Sequence, residues 1–292
     1  MPPRVEPFFL PAADGQRLCI HHPPAGPVSG TARESARGTE RVTARGAVLV
    51  LHPWAEEMNK ARRMAALQSR ALAAAGFAVL QIDLHGCGDS SGDFADARWE
   101  GWLDDVLLGA RWLAQHHNAP LWLWGLRAGA LLATQAAPRL AGPCNFLFWQ
   151  PAVQGKQLLQ QFLRLKAAAG LQHGDAKATL ERARADLAAG QCVQVAGYSL
   201  PPALAQGLAA ATLDLPVNPG HVVWLETSTR EPATLLPASS SRIEAWRAGG
   251  HAVQAQAVAG PAFWQTQEIE DAPALLQATT AALSALPALS AA

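Results

Sequence analysis

Gly125-Leu126-Arg127-Ala128-Gly129 lies between an apolar run, Leu121 to Trp124, and an Ala/Leu segment that suits a helix. Glycines at both ends permit a sharp strand-to-helix turn that lifts the central side chain into a pocket. A hydroxyl or thiol there, beside a base, would be a nucleophile. Arg127 stands in its place. Its guanidinium stays protonated and has no lone pair to offer a carbonyl carbon, and its neighbours Leu126 and Ala128 are inert. Two readings stay open. Arg127 and the following helix N-terminus form a site for a carboxylate, sulfate or phosphate, or Arg127 pairs internally with Glu56, Glu57 or another acid.

Other groups are placed for chemistry at nearby strand ends. His52, Pro53 and Trp54 follow the apolar run Ala47 to Leu51. Pro53 has no N–H, but the Trp54 N–H can join that of Ala128 as a donor pair for a developing oxyanion. The plainer reading has this loop shape the pocket floor, with His52 bonded locally. Glu56 and Glu57 are paired carboxylates that suit acid and base roles, or the start of a helix, whose dipole favours acids. Trp54, Trp149, Gln150, Glu226 and Trp264 fall at strand ends or loops on the expected pocket side, where tryptophans stack on a sugar or line an acyl channel, with core packing the alternative for each tryptophan. His85, Cys87, Asp89 and Asp93 share one Gly-rich loop but lack H-x-x-x-H or C-x-x-C spacing, so no metal or other cofactor is expected.

These groups need a scaffold, and strands alternate with helices around them. Glu6 to Pro11 and Gln16 to His22 flank Ala13-Asp14-Gly15 as a hairpin. Residues 23–45, rich in Pro, Gly, Ser, Thr and Arg, read as a flexible surface loop. Ala47 to Leu51, Ala78 to Ile82, Leu121 to Trp124 and Asn145 to Trp149 are short apolar runs that suit strands buried on both faces. Between them come a helix over 61–75, one from Trp99 to His116, and the Ala/Leu helix after Gly129. Helices without strands then fill 152–215, as a cap inserted over the carboxyl edge of the sheet. Strands return at Val222 to Leu225 and 252–258, and a helix ends the pattern at 272–286. The expected fold is a single α/β domain: a mostly parallel sheet with helices on both faces and a helical cap.

The chain has 292 residues, half of them hydrophobic and 16% charged, enough to bury a large core. Acidic and basic residues balance at 23 each, which removes the electrostatic reason to expect nucleic acid as a partner. Four scattered cysteines suggest neither a disulfide framework nor a zinc knot. No apolar stretch is long enough to span a bilayer and the N-terminus does not read as a secretory signal, so a cytoplasmic location is expected. Oligomeric state is not set by these features.

Three motifs in strand-loop-helix order resemble the α/β-hydrolase superfamily. Leu51-His52-Pro53-Trp54 stands where that superfamily has its oxyanion loop, Asp83 to Gly92 is similar to its Asp-x-x-Gly-x-Gly-x-Ser turn, and Gly125 to Gly129 to its nucleophile elbow. More narrowly, LHPWAEEMNKARRM, GCGDSSGDF and GPAFWQTQEIEDAPALL are similar to the exosortase A system-associated hydrolases of type two. The resemblance implies a hydrolase of esters, thioesters or similar bonds in a bacterial exopolysaccharide setting. It also implies a triad acid near the end of the penultimate strand, at Glu226 or Glu231, and a histidine after the last strand. That last loop reads Gly260-Pro261-Ala262-Phe263-Trp264, and no histidine follows His251. The expected protein is therefore a non-canonical or inactive hydrolase that binds a small anionic, acyl or sugar-like ligand or a partner. The alternative is an active ester or thioester hydrolase that uses Glu56 or Glu57, with Arg127 stabilising charge.

Overall fold

A computed structural model of the chain describes residues 4–25, 44–169 and 175–286. Most of the expected surface loop, residues 26–43, lies outside the described residues. β1 (Glu6–Ala12) and β2 (Gly15–His22) form the expected antiparallel hairpin, with Gly15 at a φ of 118° that a side chain would resist.

The next units place strands and helices in strict alternation. They are β3 (Ala47–Leu51), α1 (Glu56–Ala74), β4 (Ala78–Ile82), α2 (Trp99–His116), β5 (Leu121–Leu126), α3 (Ala128–Ala136) and β6 (Asn145–Trp149). After β6 come α4 (Gly155–Ala169) and α5 (Ala176–Ala188), a small hairpin of β7 (Val193–Val195) and β8 (Tyr198–Leu200), and α6 (Pro202–Ala210). The chain then returns through β9 (Val222–Ser228), α7 (Pro237–Ala248), β10 (Val253–Ala259) and α8 (Pro273–Ala285).

Eight strands form one sheet in the order β1-β2-β4-β3-β5-β6-β9-β10. β2 runs antiparallel to β1 and β4, and the other neighbours are parallel. From β3 the sheet grows one way to β4 and the other way to β5. The carboxyl ends of β3 and β5 therefore border a topological switch point, where open α/β sheets leave a crevice. The His52 loop follows β3 and the Arg127 turn follows β5, so the topology alone brings both to that crevice.

Alternation along the strands builds two cores. Val48, Val50, Trp122, Trp124, Leu147 and Trp149 face the α1 and α8 layer. Leu49, Leu51, Leu123, Phe146, Phe148 and Trp224 face the layer that includes α2, α3 and α6. β3 and β6 are buried at every position, as their unbroken apolar runs suggested.

Three local expectations need correction. The first major helix begins at Glu56, not 61, because Ala55 at a φ of 50° turns the chain abruptly into it. Strands do interrupt 152–215: Val193, Val195 and Leu200 are buried, which pins the short β7–β8 hairpin. The helix α7 was not anticipated, since its Ser- and Ala-rich run has only a faint apolar face, Ile243 and Trp246.

Candidate functional site

The backbone of the turn after β5 is strained at the one residue that a nucleophile would occupy. Arg127 has φ 56° and ψ −113°, outside the region an L side chain adopts readily. Neighbouring chain holds it there. The Arg127 N–H donates to Trp149 O (3.1 Å), and Arg127 O accepts from the Ala130 and Ala152 N–H groups. A Cβ on Gly125 would lie 2.4 Å from Ala130 Cα, and one on Gly129 would lie 2.0 Å from Leu51 O. Both glycines are there because the helix start packs directly against the strands.

The side chain at this raised point is closed on an acid. Arg127 Nε lies 3.2 and 3.3 Å from the two Glu57 carboxylate oxygens, Nη2 lies 3.1 Å from Oε1, and Nη2 also reaches Gln161 Oε1 at 3.4 Å. Both partners are nearly buried, with side chains 13% and 11% exposed. The guanidinium also lies over the Trp264 ring, 5.4 Å from its centroid. The two readings of Arg127 thus resolve toward internal pairing, with Glu57 as the partner. Burial pushes the Glu57 carboxyl above its usual range, and Arg127 pulls it part of the way back.

Glu56 differs from its neighbour. Its carboxylate is free of Arg127, and Oε2 is buried without a hydrogen-bond partner among the described residues. Burial raises its pKa, and the adjacent Glu57 adds to the rise. Both acids sit in the first turn of α1, where the helix dipole favours them.

These groups line a cavity of about 880 Å³ with Trp54, Lys60, Gln150, Phe162, Arg230 and Trp264 around it. Trp54 packs against Phe162 of α4, ring centroids 4.6 Å apart, so α4 forms an aromatic and aliphatic wall with Leu158 and Leu165. Leu165 and Leu236 remain largely exposed where they line the cavity. Lys60, Gln161, Phe162 and Arg230 were missed by sequence reasoning. Only Lys60 carried a signal, standing four residues after Glu56 on the same helical face.

Several expected site residues are placed elsewhere. Trp149 is fully buried toward α8, where its indole N–H donates to Thr279 Oγ1 (2.9 Å), and it does not line the cavity. His52 donates from Nδ1 to Pro53 O (2.7 Å) and accepts the Leu84 N–H at Nε2 (3.4 Å), the local bonding foreseen for it. It borders a separate small void, not the Arg127 cavity, and burial lowers its pKa. Glu226 is buried and spends its carboxylate on Trp224 Nε1, the Leu236 N–H and Ser239 Oγ, tying β9 to the start of α7. Gln150 lines the cavity while its side-chain oxygen accepts the Thr227 N–H at 3.1 Å. Glu231 is exposed. His251 precedes β10, at the sheet edge opposite the elbow, whereas Trp264 occupies the loop after β10 and covers Arg127.

The loop from Asp83 to Gly92 folds as a structural turn. Ser90 Oγ accepts the Leu18 N–H and donates to Asp83 O, and Asp83 pairs with Arg62 at 3.0 Å. Cys87 is buried, and burial pushes its thiol far above the usual range, which leaves it unsuited to nucleophilic work.

The architecture agrees with the comparisons to known proteins. Residues 42–186 match the family model described as serine aminopeptidase, S33. Est1E from Butyrivibrio proteoclasticus, solved with ferulic acid bound, superposes with a TM-score of 0.60 at 13% identity, covering 95% of this chain and 96% of that one. This chain has the α/β-hydrolase fold. Two further solved structures agree. An α/β serine hydrolase without a lid from Xanthomonas campestris gives a TM-score of 0.54 at 15% identity, over 97% of this chain and 93% of that one. The fluorophosphonate-binding serine hydrolase F of Staphylococcus aureus, solved with substrate bound, gives 0.55 at 10% identity, over 97% and 98%. No curated protein matches the chain. Among the described residues, no helix is long and apolar enough to cross a membrane.

Proposed function

We propose that this α/β-hydrolase-fold protein has given up serine-nucleophile chemistry and keeps its pocket to bind a small ligand that carries an anionic group. The observation that carries the reading is the closed Arg127–Glu57 pair at the elbow, roofed by Trp264. That arrangement offers a reacting carbonyl neither a nucleophile nor an imidazole base. With Arg127 matched by Glu57, the charge left for an anion comes from Lys60 and Arg230, while the raised pKa of Glu56 lessens its repulsion. Trp54, Phe162 and Leu158 suit an acyl or sugar-like body. We also assign the chain to one domain whose 152–215 insertion caps this pocket. By its motifs we group it with the exosortase A system-associated hydrolases of type two, as a cytoplasmic protein in an exopolysaccharide setting.

The test is turnover of p-nitrophenyl butyrate, hexanoate and octanoate, with the corresponding thioesters, and labelling by a fluorophosphonate. The expected result is background turnover and no label. Arg127→Ser is expected to stay at background as well, since a hydroxyl alone still lacks a base. Turnover by the wild type that disappears in Arg127→Ala would overturn the reading.

A second reading rests on Glu56. A cavity with a carboxylate free of Arg127 and a raised pKa is what an acid–base catalyst of ester hydrolysis needs. Turnover lost in Glu56→Ala, with Arg127 pairing only charge, would establish that reading and remove the first.

A further inference from the structure

A cluster of histidines lies away from the cavity, where β2 meets the end of α2. α2 ends just before β5 begins, whereas the elbow follows β5, so the cluster sits at the other edge of the sheet. His21 of β2 is buried, and its Nδ1 lies 3.0 Å from Glu6 Oε2. A carboxylate accepts, so Nδ1 carries the hydrogen and neutral His21 presents its Nε2 lone pair. That Nε2 lies 3.1 Å from Nε2 of His117.

We infer that His21 and His117 form a two-histidine site for a borderline divalent transition-metal ion such as Zn²⁺. Imidazole nitrogens bind zinc at about 2.0–2.1 Å, so a 3.1 Å separation sets a ligand–metal–ligand angle of roughly 95–100°, between octahedral and tetrahedral values. The carboxylate behind His21 is the arrangement that fixes a ligating imidazole's tautomer and orientation. Glu6 is itself held by Arg4 at 2.8 Å. Trp112 walls the site, its ring edge-on to His21 with centroids 5.0 Å apart. His116 is engaged elsewhere, bonded through Nδ1 to Trp112 O and stacked on the Trp112 ring. Among the described residues no group of three or more His, Cys, Asp or Glu converges on a metal position. The proposed ion would bridge β2 to the end of α2.

The test uses the full chain without an added histidine tag. Zn²⁺ binding is followed by calorimetry, and Cu²⁺ serves as a spectroscopic probe whose hyperfine pattern counts imidazole nitrogens. The expected result is one ion per chain with two imidazoles, at least tenfold weaker in His117→Gln and unchanged in His116→Gln. Glu6→Gln, at a half-exposed position, is expected to weaken binding about tenfold while leaving both imidazoles on the copper. Absence of binding, or binding equally strong in His117→Gln, would overturn the inference and leave the pair as an N–H···N hydrogen bond.

Discussion

Among the described residues two arginine–carboxylate pairs are largely buried, and their differences set a strut apart from a candidate site. Arg17 and Asp105 join β2 to α2 at 2.7 Å with side chains 2% and 3% exposed. Every charged atom is engaged: Arg17 also binds Asp14, and the second Asp105 oxygen accepts the His85 N–H at 2.7 Å. Arg127 and Glu57 are looser, at 3.1 to 3.3 Å, and they border a large cavity from a strained backbone. Burial raises the carboxyl pKa in both. A pair that closes on itself only supports the fold. One that faces open volume, on a turn the chain strains to form, is where we propose that a ligand binds.

The comparison can be broken by removing one member of each pair. Asp105→Ala leaves the buried Arg17 Nε and the His85 N–H without their acceptor, and is expected to cost about 3–5 kcal/mol in urea unfolding at neutral pH. Gly129→Ala drives a Cβ into Leu51 O and is expected to cost about 1–3 kcal/mol, because the elbow packs as tightly as the strut. Glu57→Gln is expected to cost less than about 2 kcal/mol, since the cavity lets water reach the freed guanidinium. Equal losses in Asp105→Ala and Glu57→Gln would erase the distinction between the two regions.

The smallest effect concerns Glu56 and depends on pH. Its folded pKa is raised, so the folded protein holds that proton more tightly than the unfolded chain does. The resulting stability is present below the unfolded glutamate pKa and is lost as pH rises through the folded value. Glu56→Gln should therefore gain stability relative to wild type as pH climbs from about 4 to 8. Thermal melts across that range test the sign, and a gain on acidification instead would show Glu56 to be paired.

Much of the fold was legible because it rests on local patterns. The apolar runs at 47–51 and 145–149 needed only their own residues to read as doubly buried strands, and Asp14-Gly15 to read as a turn. The elbow was legible through its glycines, whose spacing meets a steric demand that the structure confirms at Gly125 and Gly129. Where sequence reading went astray, the cause was distant partners. Trp149 sits at a strand end like a pocket residue, but alternation turns it toward Thr279 on α8. The weakly amphipathic α7 is fixed by Glu226 and Ser239 across a loop, which no local window contains.

The sequence by itself determined that a guanidinium, with no lone pair, replaces any nucleophile at the turn after β5, and that no histidine follows the last strand. Those are statements about residue chemistry and order. Only the tertiary structure decided that Arg127 answers to Glu57 and not Glu56. The two acids are adjacent on α1, about 100° apart around its axis, and the crossing of α1 with the elbow selects one of them. The other is left facing the cavity, desolvated, its Oε2 without a hydrogen-bond partner among the described residues.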